Sequence, residues 1–455
     1  MYWGQSMFRG STRMDMQSIC LLNDSFPPLI DGVANAVTNY AKILQKNNME
    51  PVVITPDHPE ANDSVYPYPV LRYPSIDLRE RTGYFAGVPF SPELVREVSG
   101  RNVSLLHSHC PVVSTMLARE LRQILDVPIV LTYHTKFDID IANIMKSRTL
   151  QEASKRALLE NINACDEVWA VSKGAADNLH SLGYEGECVI MHNGVDLPLG
   201  RVSDSAIREA AGQYDLPDDL PVFLFVGRIM WYKGLRIILD ALAKLKETGQ
   251  DFRMVLIGTG SDLSEVQTYA EACGIAGKCL FTGAIHNRET LRAWYCRSSL
   301  FLFPSTFDTN GLVVREAAAC SLASVLIADS CAAEGITDGR NGFLIEENAD
   351  SMFACLRTLC ANRDKMIQVG QTAARELYVS WETAVETALE RYQYVIERYQ
   401  SGYYPPHRKA MEGFFRANGE LMEGLAHIQM LRKNIHEQIK DHIAEQREHF
   451  KDMME

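Results

Sequence analysis

Short apolar runs alternate with amphipathic stretches along most of the chain. Ser18–Leu22 (SICLL) is an apolar run of strand length, followed by a Pro/Gly loop and then VTNYAKILQ at helical spacing. PVVIT at 51–55, SLLHSH at 104–109, PIVLTYHT at 128–135, EVWAVS at 167–172 and CVIMHN at 188–193 continue the series, with the helical STMLARELRQIL between SLLHSH and PIVLTYHT. Continuous apolar runs of about four to eight residues set between helices mark strands of a parallel sheet covered on both faces. The polar stretch after Asp196 reads as a linker, and LPVFLFVGR at 220–228 restarts the alternation. FRMVLIGTG, KCLFTGAI, LFLFPST, SVLIADS and GFLIE are the successive strands of this second series. Two strand–helix series predict two doubly wound α/β domains. Ligands of such sheets sit beyond the carboxyl ends of the strands. Chemistry is therefore expected in the loops after Leu22, Leu106, Tyr133, Val226, Ile257, Phe281 and Phe303.

The tail differs. SGYYPPH at 401–407 stops a helix, and the residues to 455 are rich in Lys, Glu, His and Gln, with apolar positions at three-to-four spacing. Its charges nearly cancel, which suits an amphipathic helix docked on the body or on another subunit better than a membrane-surface helix with a basic face. The divisions read from the sequence are a flexible segment at 1–15, domains at 16–200 and 201–380, a closing helix at 381–400 and a helical extension at 401–455.

Composition narrows the function. Lys+Arg is 45 against Asp+Glu 58, a formal charge of −13, which excludes a strongly basic nucleic-acid binder. No run approaches the ~20 apolar residues of a membrane span, and the N-terminal residues lack a signal-peptide core. The 11 cysteines have no CxxC pair and read as reduced thiols of a cytoplasmic protein.

The candidate chemistry is densest in the second series. VGRIMWYKG places Gly227 and Arg228 just past a strand, with Lys233 five residues on. Two cations beside a glycine suit a diphosphate, although such a pair can equally be a solvated face. Downstream, Asp308 and Glu316 bracket Asn310, Gly311 and Leu312. A helix beginning near Gly311 would aim free backbone N–H groups at an anion or hydroxyl and set Glu316 one turn inside. In the first series His107 and His109 share one face of a strand. A metal pair is conceivable there but lacks a third ligand.

Taken in order, these motifs resemble the retaining glycosyltransferases of the GT-B fold, family 4 type. The resemblance runs from about Gln17 to Tyr399 and includes SFPPLIDGVANAV, HSHCP, TYHT, VSKGAADNL and MHNGVD. It implies two Rossmann-like domains facing a central cleft. The activity implied is transfer of a hexose from a nucleotide-sugar, UDP-linked in preference to GDP-linked, to an acceptor hydroxyl. It further implies that Arg228 and Lys233 hold the donor diphosphate and that Glu316 binds the ribose. Asp308 and the Asn310–Leu312 backbone would meet the transferred sugar, with Gly32, Gly258 and Ile285 also lining the donor. His134 of TYHT matches the family's active-site histidine, and His109, Lys136 and Asp31 are candidate acceptor contacts. Two departures stand out. Asp308 replaces the family's usual Glu, and Asp31-Gly32 replaces Gly-Gly in the opening loop.

No metal or cofactor is implied beyond the co-substrate, because the two cations act as the charge clamp. DID at 138–140 matches the DxD metal motif of a different glycosyltransferase fold, or is a solvated pair at a helix start. The acceptor is expected to be a membrane lipid such as diacylglycerol, or a glycan. Lys136, Lys146, Arg148, Lys155 and Arg156, interleaved with Ile139, Ile141, Ile144 and Met145, are either a solvated helix over an ordinary core or a peripheral contact with the inner face of an anionic membrane. A nucleotide-sugar epimerase of the same fold and a non-catalytic nucleotide-sugar binding protein are the alternatives.

Overall fold

The computed structural model describes residues 18–29, 31–79, 85–89, 91–137, 141, 147–217, 219–308, 311–405, 412–413, 415–418 and 421. The 1–15 segment, the DID tripeptide, Ile144, Met145, Lys146, Asn310 and most of the 401–455 extension lie outside the described residues. The chain forms two compact units, one from the described parts of 1–169, 180–189 and 387–455, the other from 170–179 and 190–386.

The first unit is built on a seven-stranded sheet. Its strands are β1 (Ser18–Leu22), β2 (Glu50–Pro56), β3 (Val70–Tyr73), β6 (Val103–Ser108), β7 (Ile129–Tyr133), β8 (Glu167–Ala170) and β9 (Cys188–Ile190). They lie in the order β3-β2-β1-β6-β7-β8-β9, and every pairing from β3 to β7 is parallel. A separate antiparallel hairpin joins β4 (Ser75–Asp77) to β5 (Phe85–Gly87). Neither β3 nor β4 carries a continuous apolar run, and β5 is only three residues long. Arg72 sits in β3 and pairs with Asp63 at 2.7 Å, so these edge elements escape the buried-strand pattern.

The second unit carries a six-stranded, wholly parallel sheet in the order β12-β11-β10-β13-β14-β15. These strands are β10 (Val222–Val226), β11 (Arg253–Ile257), β12 (Cys279–Gly283), β13 (Leu300–Phe303), β14 (Ser324–Ile327) and β15 (Phe343–Ile345). All five residues of β10 and all four of β13 are buried, as helices on both faces require. The stretch after Asp196 is more than a linker. Ser203 caps a helix at Asp204–Ala211, which packs on the helix Arg288–Arg297.

The strand order reverses between β1 and β6 in one sheet and between β10 and β13 in the other. These two switch points, at the carboxyl ends of the strands, are where the fold opens a crevice for a ligand. The helix Trp381–Gln400 begins in the second unit and ends in the first. Beyond it, the fully buried Glu412 bonds to Arg122 and Gln123, and Phe415 lies under the Arg119 guanidinium at 4.1 Å. The extension thus begins docked on the helix Val113–Leu125 of the first unit.

Candidate active site

The switch point of the second sheet is assembled from backbone. Gly227, just past β10, has φ 154°, and its N–H donates to Ile257 O at 3.0 Å. Gly258, just past β11, has φ 141°, and a Cβ there would lie 1.9 Å from the Gly227 carbonyl oxygen. Only glycine permits this approach, and the rim is left free of side-chain bulk. Arg228 follows, exposed and without a hydrogen-bond partner among the described residues. The chain then winds through a short 3-10 turn, Trp231–Lys233, into Gly234 at φ 77°. A Cβ on Gly234 would stand 2.1 Å from Pro304 O, so the loop after β10 rests directly on the loop after β13.

That contact brings the two halves of the predicted site together. The buried Lys233 places Nζ 2.6 Å from Asp308 Oδ1, and the Ser305 hydroxyl donates to Asp308 Oδ2 at 2.6 Å. The rings of Tyr232, Phe303 and Phe307 surround Lys233 Nζ at 5.5 to 5.8 Å. Arg228 and Lys233 therefore differ in kind. One is a free exposed cation, the other a fixed, paired and aromatic-lined one. Both Asp308 oxygens are engaged within the protein, so a sugar hydroxyl would have to share them.

The helix Leu312–Ala319 starts one residue after Gly311, which serves as its cap at φ 55° with no side chain on the first-turn amides. Glu316 lies just over one turn inside and is 8% exposed. Arg288 Nη2 donates to its Oε1 at 3.2 Å, and the Tyr295 hydroxyl donates to Oε2 at 3.0 Å. Arg288 also donates to Asp196 Oδ2 at 2.6 Å. Burial pushes the Glu316 carboxyl above the usual carboxylate range, and Arg288 and the Tyr295 hydroxyl pull it back down. Sequence reading missed both partners. They are seven residues apart and share one face of the helix Arg288–Arg297, but nothing local says which side chain that face meets. Ile285, in the loop before this helix, is half-buried against the core.

In the first unit three histidines gather at the carboxyl ends of β6 and β7. His109 Nδ1 and His134 Nε2 are hydrogen-bonded at 3.0 Å, and the His107 ring lies 4.0 Å from that of His109. His107 is held by the Tyr392 hydroxyl at 2.5 Å and the Thr132 hydroxyl at 2.7 Å. Burial depresses all three imidazoles, His134 to about 3, so they stay neutral at pH 7. His109 Nε2 is buried with no hydrogen-bond partner among the described residues. Among the described residues no group of three or more His, Cys, Asp or Glu side chains could hold a metal ion.

The helix starts of the two units contrast. Asp31 caps the helix Gly32–Lys46, its Oδ1 accepting from Val33 N at 2.9 Å and Ala34 N at 2.7 Å. Asp24, which the sequence reading passed over, fills the start of the helix Val113–Leu125. Its oxygens accept from Ser114 N at 2.7 Å, Ser114 Oγ at 2.5 Å and Val113 N at 3.1 Å. The helices Gly32–Lys46 and Val113–Leu125 are thus closed by the protein's own carboxylates. In the second sheet the helices at Leu235 and Leu312 follow glycine caps that present no side-chain acceptor. An incoming anion is favoured at the second switch point and repelled at the first. Gly32 is exposed, with nothing within 4 Å of a Cβ placed there, and Lys136 is half-buried just past β7.

Two family models match the chain, one in each half. The family model described as Glycosyltransferase Family 4 matches residues 30–198, and Glycosyl transferases group 1 matches residues 206–376. The chain is 26% identical over 394 residues to sulfoquinovosyl transferase SQD2 of Arabidopsis thaliana, covering 80% of this chain and 71% of the relative. It is 22% identical over 353 residues to alpha-monoglucosyldiacylglycerol synthase of Streptococcus pneumoniae, covering 76% and 79%. Among solved structures, Anabaena Alr3699/HepE in complex with UDP superposes with a TM-score of 0.67 at 18% identity, covering 82% of this chain and 99% of that one. Two parallel-sheet units, each matched by its own half of one enzyme family, make this chain a GT-B glycosyltransferase of the family 4 and group 1 type, acting on a nucleotide-sugar.

Proposed function

We propose that the chain is a retaining hexosyltransferase that takes its sugar from a UDP-linked donor and delivers it to the hydroxyl of a membrane lipid such as diacylglycerol. The observation that carries the donor half is the second switch point. Lys233 and Arg228 flank helix starts that the protein leaves uncapped, a fit for a diphosphate. Glu316, one turn into the Leu312 helix, is the carboxylate for the ribose hydroxyls. UDP is the nucleotide held by the Anabaena protein of the same fold. The lipid acceptor is supported by the name of one relative, a monoglucosyldiacylglycerol synthase. No helix among the described residues is long and apolar enough to cross a membrane.

In the reaction the acceptor oxygen bonds to the anomeric carbon as the bond from that carbon to the diphosphate breaks. Lys233 and Arg228 take up the charge that develops on the leaving diphosphate, and a phosphate oxygen on the same face accepts the acceptor's proton. In the first unit His134 is held neutral by burial, with its Nε2 engaged by His109 Nδ1.

Thermal shift with UDP- and GDP-sugars, followed by transfer to diacylglycerol vesicles or to soluble sugars in excess EDTA, tests the reading. A UDP-sugar should stabilise the protein and be turned over on the vesicles with the chelator present. Stabilisation by GDP-sugars only, transfer to soluble sugars only, or loss of activity with EDTA would each remove the corresponding part. Epimer formation without any acceptor would replace the whole.

A further inference from the structure

The sequence motif marks Glu316 but says nothing of what surrounds it. The carboxylate is 8% exposed, and an isolated carboxylate so buried tends to take up a proton and lose its value as an acceptor of two hydroxyls. Three groups face it. Arg288 donates to Oε1 at 3.2 Å, Tyr295 donates to Oε2 at 3.0 Å, and Asp196, on the far side of Arg288 at 2.6 Å, adds an opposing negative charge. Tyr295 is itself fully buried, so its hydroxyl has little freedom to turn elsewhere. One donor per oxygen fixes the carboxylate plane and leaves each oxygen a second lone pair.

We infer that Arg288 and Tyr295 are positioning residues for donor recognition, holding Glu316 ionised and in one orientation for the ribose 2′- and 3′-hydroxyls. This rests on the reading of Glu316 as the ribose carboxylate. The consequence is that discrimination for a ribonucleotide is set jointly by two helices. Leu312–Ala319 supplies the acceptor and Arg288–Arg297 supplies its orientation and charge state. Loss of either donor lets the carboxylate rotate or protonate, and the hydroxyl preference falls while diphosphate binding at Lys233 persists.

Calorimetric titration with UDP and 2′,3′-dideoxy-UDP across pH 5 to 8 tests this, on wild type and on Glu316→Gln, Tyr295→Phe and Arg288→Gln. Wild type should prefer UDP by about tenfold or more, the scale of a charge-assisted hydrogen bond. Tyr295→Phe and Arg288→Gln should each cut that preference to about threefold or less. They should also move the acid limb of UDP binding to higher pH, since each removes a group that favours the ionised carboxylate. A packing defect would weaken both nucleotides alike and leave the ratio and the limb in place. Arg288 stands at the exposed first turn of its helix, so its variant reports even if Tyr295→Phe folds poorly. If Glu316→Gln abolishes the preference while both other variants keep the wild-type ratio and limb, the positioning role is wrong and the ribose reading stands. If Glu316→Gln itself keeps the preference, the ribose reading fails and the positioning role with it.

Discussion

Lys233 and His134 show how burial assigns a residue its role. Lys233 is fixed by Asp308 and three aromatic rings, so its charge is held in place before any donor arrives. Lys233→Met should weaken UDP-sugar binding or slow transfer at least about tenfold, the range of a lost charge-assisted hydrogen bond, read from steady-state kinetics. Asp308 is one methylene shorter than the carboxylate usual at this position. Asp308→Glu should change the ratio of rates with gluco- and galacto-configured donors, whereas an equal fall with both would assign the residue to holding Lys233 alone. The histidines make a pH prediction. His107, His109 and His134 are neutral in the folded protein down to well below pH 6.5, while in the unfolded chain they take up protons near about 6.5. The unfolded state therefore binds more protons in the acid range, and stability falls as pH drops below about 6.5, by on the order of 1 kcal/mol per pH unit for each histidine. Tm measured from pH 7 to pH 5 should decline, and His134→Gln should decline less steeply. Equal slopes would show that these imidazoles do not control the acid limb.

Glycine and caps act at the scale of the element. Gly234 and Gly258 each combine a positive φ with a carbonyl oxygen about 2 Å from any Cβ, so alanine at either position would force the rim loops apart. Gly234→Ala should cost about 2 kcal/mol or more and reduce donor affinity as well, because the same loop carries Lys233. Gly32 is the counter-example. It begins a helix in open space, so Gly32→Ala should leave Tm unchanged or slightly raised. If the opening loop approaches the donor phosphates, that variant should nonetheless lose donor affinity. Unchanged affinity would mean that the glycine serves neither fold nor ligand. Asp31 and Asp24 occupy helix starts that an anion could otherwise use.

At the scale of the whole chain, the extension after the last helix is tied into the first unit by charge. Glu412 is fully buried against Arg119 and Arg122, Asp166 meets Arg122 at 3.1 Å, and Asn418 donates to Glu120 at 2.6 Å. Ending the chain at residue 405 would remove one carboxylate from two buried guanidinium groups. A loss of about 3 kcal/mol is expected, read as a lowered denaturation midpoint, with Asp166 limiting the damage to Arg122. An unchanged midpoint would show that the extension adds nothing to the stability of that unit.

The sequence by itself determined the two strand–helix series, the positions of the twelve apolar strands it marked and the helix start near Gly311. All of these follow from local signals, because a strand covered on both faces must be apolar throughout and a glycine at a turn declares its backbone. The tertiary structure alone decided that Lys233 pairs with Asp308, that Arg288 and Tyr295 meet Glu316, that Asp24 closes a helix start 89 residues away and that β3 joins the edge of the first sheet. Those contacts join side chains far apart in the chain. They arise when the rims of parallel strands come together, and no period or spacing along the chain records which rim a given side chain will face.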